Sequence, residues 1–147
     1  MPVAIRPYRD EDREAVAKLW LDSWRATGLS IARLATEAGN YDRIGRELAA
    51  GWQAHLAWDG DQLVGFLALK PATGCLDQLF VAPGAQGRGI GRQLLDLAKE
   101  RLPRGFWLRT AEDNHRACRF YERTGLRRSE TQTHPSLGHR TVIYRWP

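Results

Sequence analysis

The chain has 147 residues, 43% hydrophobic and 27% charged, which suits a single domain able to bury roughly 70% of its unfolded surface. No apolar run approaches the roughly 20 residues of a membrane span, and the opening Met-Pro-Val-Ala-Ile-Arg lacks the basic-then-apolar pattern of a secretory signal. The net charge of +5 is scattered rather than blocked, so it suits a polyanionic small molecule as well as it suits nucleic acid; neither a membrane nor a nucleic acid is expected as partner.

Taken in order, Val3 to Arg6 is a short strand closed by Pro7. Asp10 is a suitable N-cap, and Val16, Leu19, Trp20, Ser23 and Trp24 recur at helical spacing, which predicts a helix over Asp12 to Trp24. A second helical region runs from about Ile31 to Ala50, with Ile31, Leu34, Ala35 and Ala38 on one face and an interruption at Gly39-Asn40. Trp52, Ala54, Leu56 and Trp58 alternate as in a strand, and Asp59-Gly60-Asp61 signals a hairpin into the apolar run Leu63 to Leu69. Pro71 to Gly74 turns the chain into a further strand, Cys75 to Val81. Beyond it, Ile90, Leu94, Leu95, Ala98 and Leu102 share a helix face, Phe106 to Arg109 is a short strand, and Asn114 is placed to cap a helix ended by Gly125. Leu126 to Glu130 and Thr141 to Trp146 close the chain as strands around the polar loop Thr131 to Arg140. The order is strand, two helices, three strands, helix, strand, helix, two strands: one mixed α/β domain over residues 1–147, with no internal repeat.

Cys75 and Cys118 lie far apart without CxxC spacing, which suits small core residues in a reducing, cytoplasmic setting. His55, His115, His134 and His139 show no metal-ligand spacing with carboxylates or thiols, so no metal is expected. Trp52, Trp58 and Trp146, on strands, would mark a dimer edge if exposed; monomer and homodimer both stay open.

The most informative stretch is Gln78 to Gly91, where an apolar strand end meets Pro83, four glycines within eight residues, and a helix start. Such an arrangement gathers backbone N–H groups and a helix dipole toward one anion. The Walker pattern fails because Gly89 is followed by Ile90 rather than Lys. The dinucleotide pattern fails because Arg92 stands where a third glycine is needed. What remains is Gln86-x-x-Gly89-x-Gly91, followed downstream by Asn114, Ala117, Phe120-Tyr121-Glu122 and Gly125-Leu126.

These two patterns, in this order, resemble the signatures of the GCN5-related N-acetyltransferase (GNAT) family. The resemblance is close from about Asp59 to Leu126; the first 50 residues match only in element order. It implies a mixed sheet of about six to seven strands with about four helices. It also implies an acetyl-CoA-dependent N-acetyltransferase acting on a primary amine by direct attack in a ternary complex. A non-catalytic acyl-CoA-binding module on the same fold is the alternative.

By the same resemblance, Gln86, Gly87, Arg88, Gly89, Ile90 and Gly91 bind the CoA pyrophosphate, with charge added by Arg88 or Arg92. The backbone of Leu79, Phe80 and Val81 holds the pantetheine arm as an added strand would. Tyr121 matches the family's general acid, which protonates the departing sulfur; read from the residues alone it is a core aromatic on a helix face beside Phe120. Asn114 is a cap, a CoA contact, or both. Asp77 interrupts an apolar strand near the family's general base; the alternatives are an exposed strand position or an ion pair, with Glu112 and His55 in reserve. The acceptor pocket falls to the first two helices and the Thr131 to Arg140 loop, where Trp20, Trp24 and Tyr41 are candidates to stack on a cation.

Overall fold

The computed structural model describes residues 3–29, 32, 35–134 and 138–147. Arg6 and Asp12 fix how the chain enters it. From β1 (Ala4–Pro7), Arg6 Nη1 and Nη2 donate to the two carboxylate oxygens of Asp12 at 3.0 Å each, and Arg9 N–H donates to Asp12 Oδ2 at 2.9 Å. The expected cap at Asp10 does not form. Asp10–Asp12 is a 3₁₀ turn, and α1 (Arg13–Arg25) follows it, because the carboxylate beside the helix start is already engaged by Arg6 and Arg9.

The second helix also differs from expectation. It is α2 (Glu37–Ala49), and Gly39-Asn40 lies inside it rather than breaking it. Thr36 is the N-cap, its Oγ1 accepting from Gly39 N–H at 3.0 Å. A Cβ on Gly39 would sit 2.9 Å from that hydroxyl oxygen, so the glycine gives the cap room. Asn40 Nδ2 donates to Ala17 O at 3.3 Å and ties α2 to α1. Ala35 precedes the helix, and Ile31 and Leu34, assigned to its apolar face from the sequence, lie outside the described residues.

β2 (Gln53–Asp59) and β3 (Gln62–Lys70) form the hairpin turned at Gly60, and β4 (Cys75–Val81) runs back antiparallel to β3. Then come α3 (Ile90–Arg101), β5 (Phe106–Ala111), α4 (His115–Arg123), β6 (Arg127–Thr133) and β7 (Arg140–Trp146). The described residues thus form a mixed sheet of seven strands, in the order β1-β2-β3-β4-β5-β7-β6, with four α-helices. None of these helices is long and apolar enough to cross a membrane.

Period-two alternation sends the strands' side chains into two cores. Leu67, Leu69, Leu108 and Val142 pack with Leu94, Leu95 and Tyr121 on the α3/α4 side. Leu56, Phe66 and Ala68 pack with Val16, Trp20 and Ile44 on the α1/α2 side. There Phe66, Phe80, Trp20 and Trp52 close a ring of four aromatics, neighbouring centroids 5.0–6.1 Å apart. Trp52 is therefore core and marks no surface edge. Trp58 lies under the Arg6 guanidinium and Trp146 under the Lys99 ammonium, both only partly exposed, so the tryptophans do not form the exposed dimer edge considered from the sequence.

Two irregularities position the site. Between β3 and β4, Leu69 faces Leu76 and Ala68 faces Gln78, so Asp77 is the extra residue of a β-bulge. Between β4 and β5 the pairing is parallel and, among the described residues, limited to Cys75 opposite Trp107. Downstream of the bulge the two strands part, and β4 runs on with β3 alone as far as Val81 opposite Gly65.

Candidate active site

The parted strands open a cavity of about 560 Å³. Its walls come from β4 (Cys75 to Phe80), β5 (Trp107 to Ala111), α1 and α2, with Asn114, Ala117 and Tyr121 from α4 and its cap. A β-strand parted from one neighbour keeps N–H and C=O groups without ladder partners on that side, an edge able to pair with an extended amide-bearing ligand. Leu79 and Phe80 lie on this stretch; Val81, which ends it, is braced by Ser23 Oγ, donating to its carbonyl at 3.4 Å.

β4 leads directly into the glycine loop. Pro83–Ala85 forms a 3₁₀ turn, Gln86 is extended, and Gly87 (φ 84°) and Gly89 (φ 78°) both take the left-handed conformation. A Cβ at either would meet nothing within 4 Å, so backbone conformation and not space calls for glycine there. Gly89 occupies the N-cap of α3 without a side-chain cap, whereas Thr36 caps α2 and Asn114 caps α4. The first N–H groups of α3, at Ile90, Gly91 and Arg92, are therefore left without a capping side-chain oxygen. Gly91 has a packing reason as well: a Cβ there would lie 3.3 Å from Phe120 Cζ. Arg88 is tied to Asp59 at 3.0 Å, while exposed Arg92 has no ion-pair partner among the described residues.

Tyr121 borders the cavity and is 7% exposed, its ring held between Phe120 and Tyr144 with centroids 5.4 and 5.7 Å away. Its hydroxyl makes no hydrogen bond among the described residues. Burial, and to a lesser degree the nearby Cys118, raises its pKa well above the ordinary tyrosine value. Asn114 Oδ1 accepts from Ala117 N–H at 3.3 Å, leaving the amide NH₂ toward the cavity it lines.

Asp77 also lines the cavity. Its Oδ2 accepts from Trp52 Nε1 at 2.7 Å and lies 3.7 Å from Lys70 Nζ, which in turn pairs with Glu47 at 2.8 Å. The two reserves fall elsewhere. His55 is buried on the opposite face, with its pKa lowered by burial and by Arg101; Glu112 pairs with Arg128 and Arg140. Cys75 and Cys118 are both buried, and burial pushes the Cys75 thiol up to about 12.

The aromatic candidates divide. Trp20 and Trp24 line the cavity; Tyr41 does not, being 41% exposed with the Arg13 guanidinium 3.9 Å from its ring centroid. Trp20 stacks on Phe80, and Arg43 lies over its ring at 5.0 Å, so the protein's own cation occupies the position considered for a substrate cation. Arg43, His134 and His139 also line the cavity, from the helices and the loop to which the sequence assigned the acceptor pocket without singling them out; Arg109, from β5, lies outside those segments and was missed.

The parted β4 edge, the glycine loop at the head of α3 and the Asn114–Tyr121 helix match a known family. The family model for the acetyltransferase (GNAT) family covers residues 13–126. The chain belongs to that family. Among curated relatives of this acetyltransferase is the peptidyl-lysine N-acetyltransferase YjaB of Escherichia coli (strain K12), 31% identical over 86% of this chain and 84% of the relative. Another is the mycothiol acetyltransferase of Geodermatophilus obscurus, 38% identical over 50% of this chain but only 28% of its own length. Among solved structures, the apo form of E. coli YjaB matches with TM-score 0.75 and 26% identity over 99% of this chain and 96% of that one. The PaiA N-acetyltransferase of Thermoplasma acidophilum in complex with coenzyme A matches with TM-score 0.75 and 20% identity, covering 99% and 100%; at that identity the likeness shows the fold.

Proposed function

We propose that this acetyltransferase moves an acetyl group from acetyl-CoA to a primary amine by direct attack in a ternary complex. The observation that carries the reading is continuity: a strand edge released beside a cavity runs into a helix start with no side-chain cap. A diphosphate suits the N–H groups at residues 87–91, where left-handed Gly87 and Gly89 open the backbone outward and Arg92 adds charge. Amide groups of the donor's arm suit the free side of Leu79 and Val81, with the Asn114 NH₂ nearby. Phe80, two residues before Ala82, whose N–H bonds Val64 O at 2.8 Å, turns its own N–H and C=O to β3. When bound, acetyl-CoA supplies an acyl group activated as a thioester.

The remaining work falls to side chains already at the cavity. Asp77, oriented by Trp52 and Lys70, accepts the proton that the amine must lose, directly or through water. Tyr121 keeps a proton at its Oη for the leaving sulfur, because burial disfavours its charged form. A backbone N–H of β4 polarises the reacting carbonyl. The buried, unpaired thiols Cys75 and Cys118 support a reducing compartment, for which we take the cytoplasm.

Acetyl-CoA should raise the melting temperature, the stabilisation reaching about 2.7 kcal/mol at a hundredfold excess over Kd. Thiol release should then depend on an added amine. No thermal shift at millimolar acetyl-CoA would sink the proposal.

A further inference from the structure

We infer that the acceptor end of the cavity selects an amine carrying a carboxylate or phosphate, an inference that rests on the acetyl-transfer reading above. The charged side chains of the described lining are Arg43, Arg109 and Asp77. They are not balanced. Asp77 is already bonded by Trp52 and approached by Lys70, whereas neither guanidinium has an ion-pair partner among the described residues. Glu47, one helical turn from Arg43, is held by Lys70 at 2.8 Å.

Two imidazoles join the guanidiniums from the segment between β6 and β7. His134 and His139 stack with centroids 4.9 Å apart, and His139 Nδ1 is buried without a hydrogen-bond partner among the described residues. These groups from β5, α2 and the loop line one cavity, and the His134 pKa is lowered by desolvation first, then by electrostatic repulsion from its neighbours, Arg109 and Arg43 among them. A region in which cations disfavour a further proton favours an anion for the same reason. The aromatic alternative is closed, since Arg43 already covers Trp20. An acceptor with its amine toward Asp77 and its anion toward Arg43 and Arg109 satisfies both ends; a polyamine, or a lysine flanked by basic residues, meets like charge.

The test uses the full chain at fixed acetyl-CoA and follows thiol release with matched amines: 5-aminovalerate against pentylamine, and O-phosphoethanolamine against ethanolamine. The acidic member of a pair should have a kcat/KM at least about tenfold higher, the scale of one charge-assisted hydrogen bond. Lysine hexapeptides flanked by aspartate or by arginine show whether the anion is delivered by a free metabolite or by an acidic peptide. Arg43→Gln with Arg109→Gln should bring the ratios toward one without changing the thermal shift given by acetyl-CoA.

Valerate, which has the anion of 5-aminovalerate and no amine, gives a readout free of turnover. It should perturb the His134 and His139 imidazole NMR signals saturably, and the double variant should lose the effect. Preference for the neutral or basic member, or no response to valerate, overturns the inference. Loss of the acetyl-CoA thermal shift in the unaltered protein would instead overturn the acetyl-transfer reading beneath it.

Discussion

Replacing Tyr121 by phenylalanine separates chemistry from folding at one atom. The phenyl ring keeps every contact of the tyrosine ring, including those to Phe120 and Tyr144 at 5.4 and 5.7 Å. What is lost is a hydroxyl that is bonded to none of the described residues inside a residue only 7% exposed. The hydroxyl belongs to a side chain that lines the cavity, where water can satisfy it, so its removal changes the folded state's free energy little. Tyr121→Phe should therefore change stability by no more than about 1 kcal/mol, a melting shift within roughly 4 °C for a chain of this size. Removing a general acid should lower kcat by about 10²–10⁴-fold, read as thiol release with a saturating amine, while the thermal shift given by acetyl-CoA stays. The raised Tyr121 pKa keeps the phenol protonated through pH 9, so a basic limb between pH 7 and 9 should persist unchanged in the variant's pH profile. A kcat within threefold of the unaltered enzyme would refute the assignment. A melting temperature lowered by more than roughly 4 °C would refute the premise that the hydroxyl has no protein partner.

Asp12→Asn tests the entry of the chain. Two bonds from Arg6 and one from Arg9 N–H reach a carboxylate whose side chain is 6% exposed, so its loss should cost about 2 kcal/mol, roughly 4–8 °C. The hydrogen bond from Arg6 chiefly holds the folded-state pKa below the ordinary aspartate value. The stability it contributes is therefore fully present above about pH 4 and is lost as pH falls through the lowered value. The melting difference between the two proteins should be constant from pH 5 to 7 and shrink below pH 4; a constant difference at low pH contradicts the ion pair. At the loop, Gly89→Ala forces a left-handed alanine at about 1–2 kcal/mol and should weaken acetyl-CoA binding at least about tenfold by calorimetry. Gly84→Ala, in open space without a positive φ, should change neither quantity, and equal effects of the two would refute the role given to the left-handed glycines.

The sequence discloses those parts of the molecule whose causes are local. Strand alternation from Trp52 to Trp58, the Asn114 cap and the glycine loop each depend on residues a few positions apart, and each stands where the pattern put it. The interruption expected at Gly39-Asn40 in α2 follows from the usual reading of glycine as a helix breaker. Here Gly39 serves the cap of Thr36, a relation visible only once a Cβ is seen to approach the hydroxyl at 2.9 Å. Long-range convergence was harder still. Trp52 reads as a surface strand residue until the bulge brings Asp77 to its indole N–H, across 25 positions of chain. Arg43, Arg109 and the histidine pair come from α2, β5 and the segment before β7, and no short motif links them.

The sheet that separates the two cores also separates two lines of descent open to the protein. Leu94 and Leu95 hold α3, and with it the glycine loop, from one side, while Val16 and Ile44 hold α1 and α2 from the other. Substitutions confined to opposite sides share few partners, and at such separations their free energies add to within about 0.3–0.5 kcal/mol. Mutations that recast α1 and α2 therefore leave α3 nearly undisturbed. On the proposed division of donor and acceptor sites, a duplicated copy of this gene would explore new acceptors at little risk to the binding of acetyl-CoA.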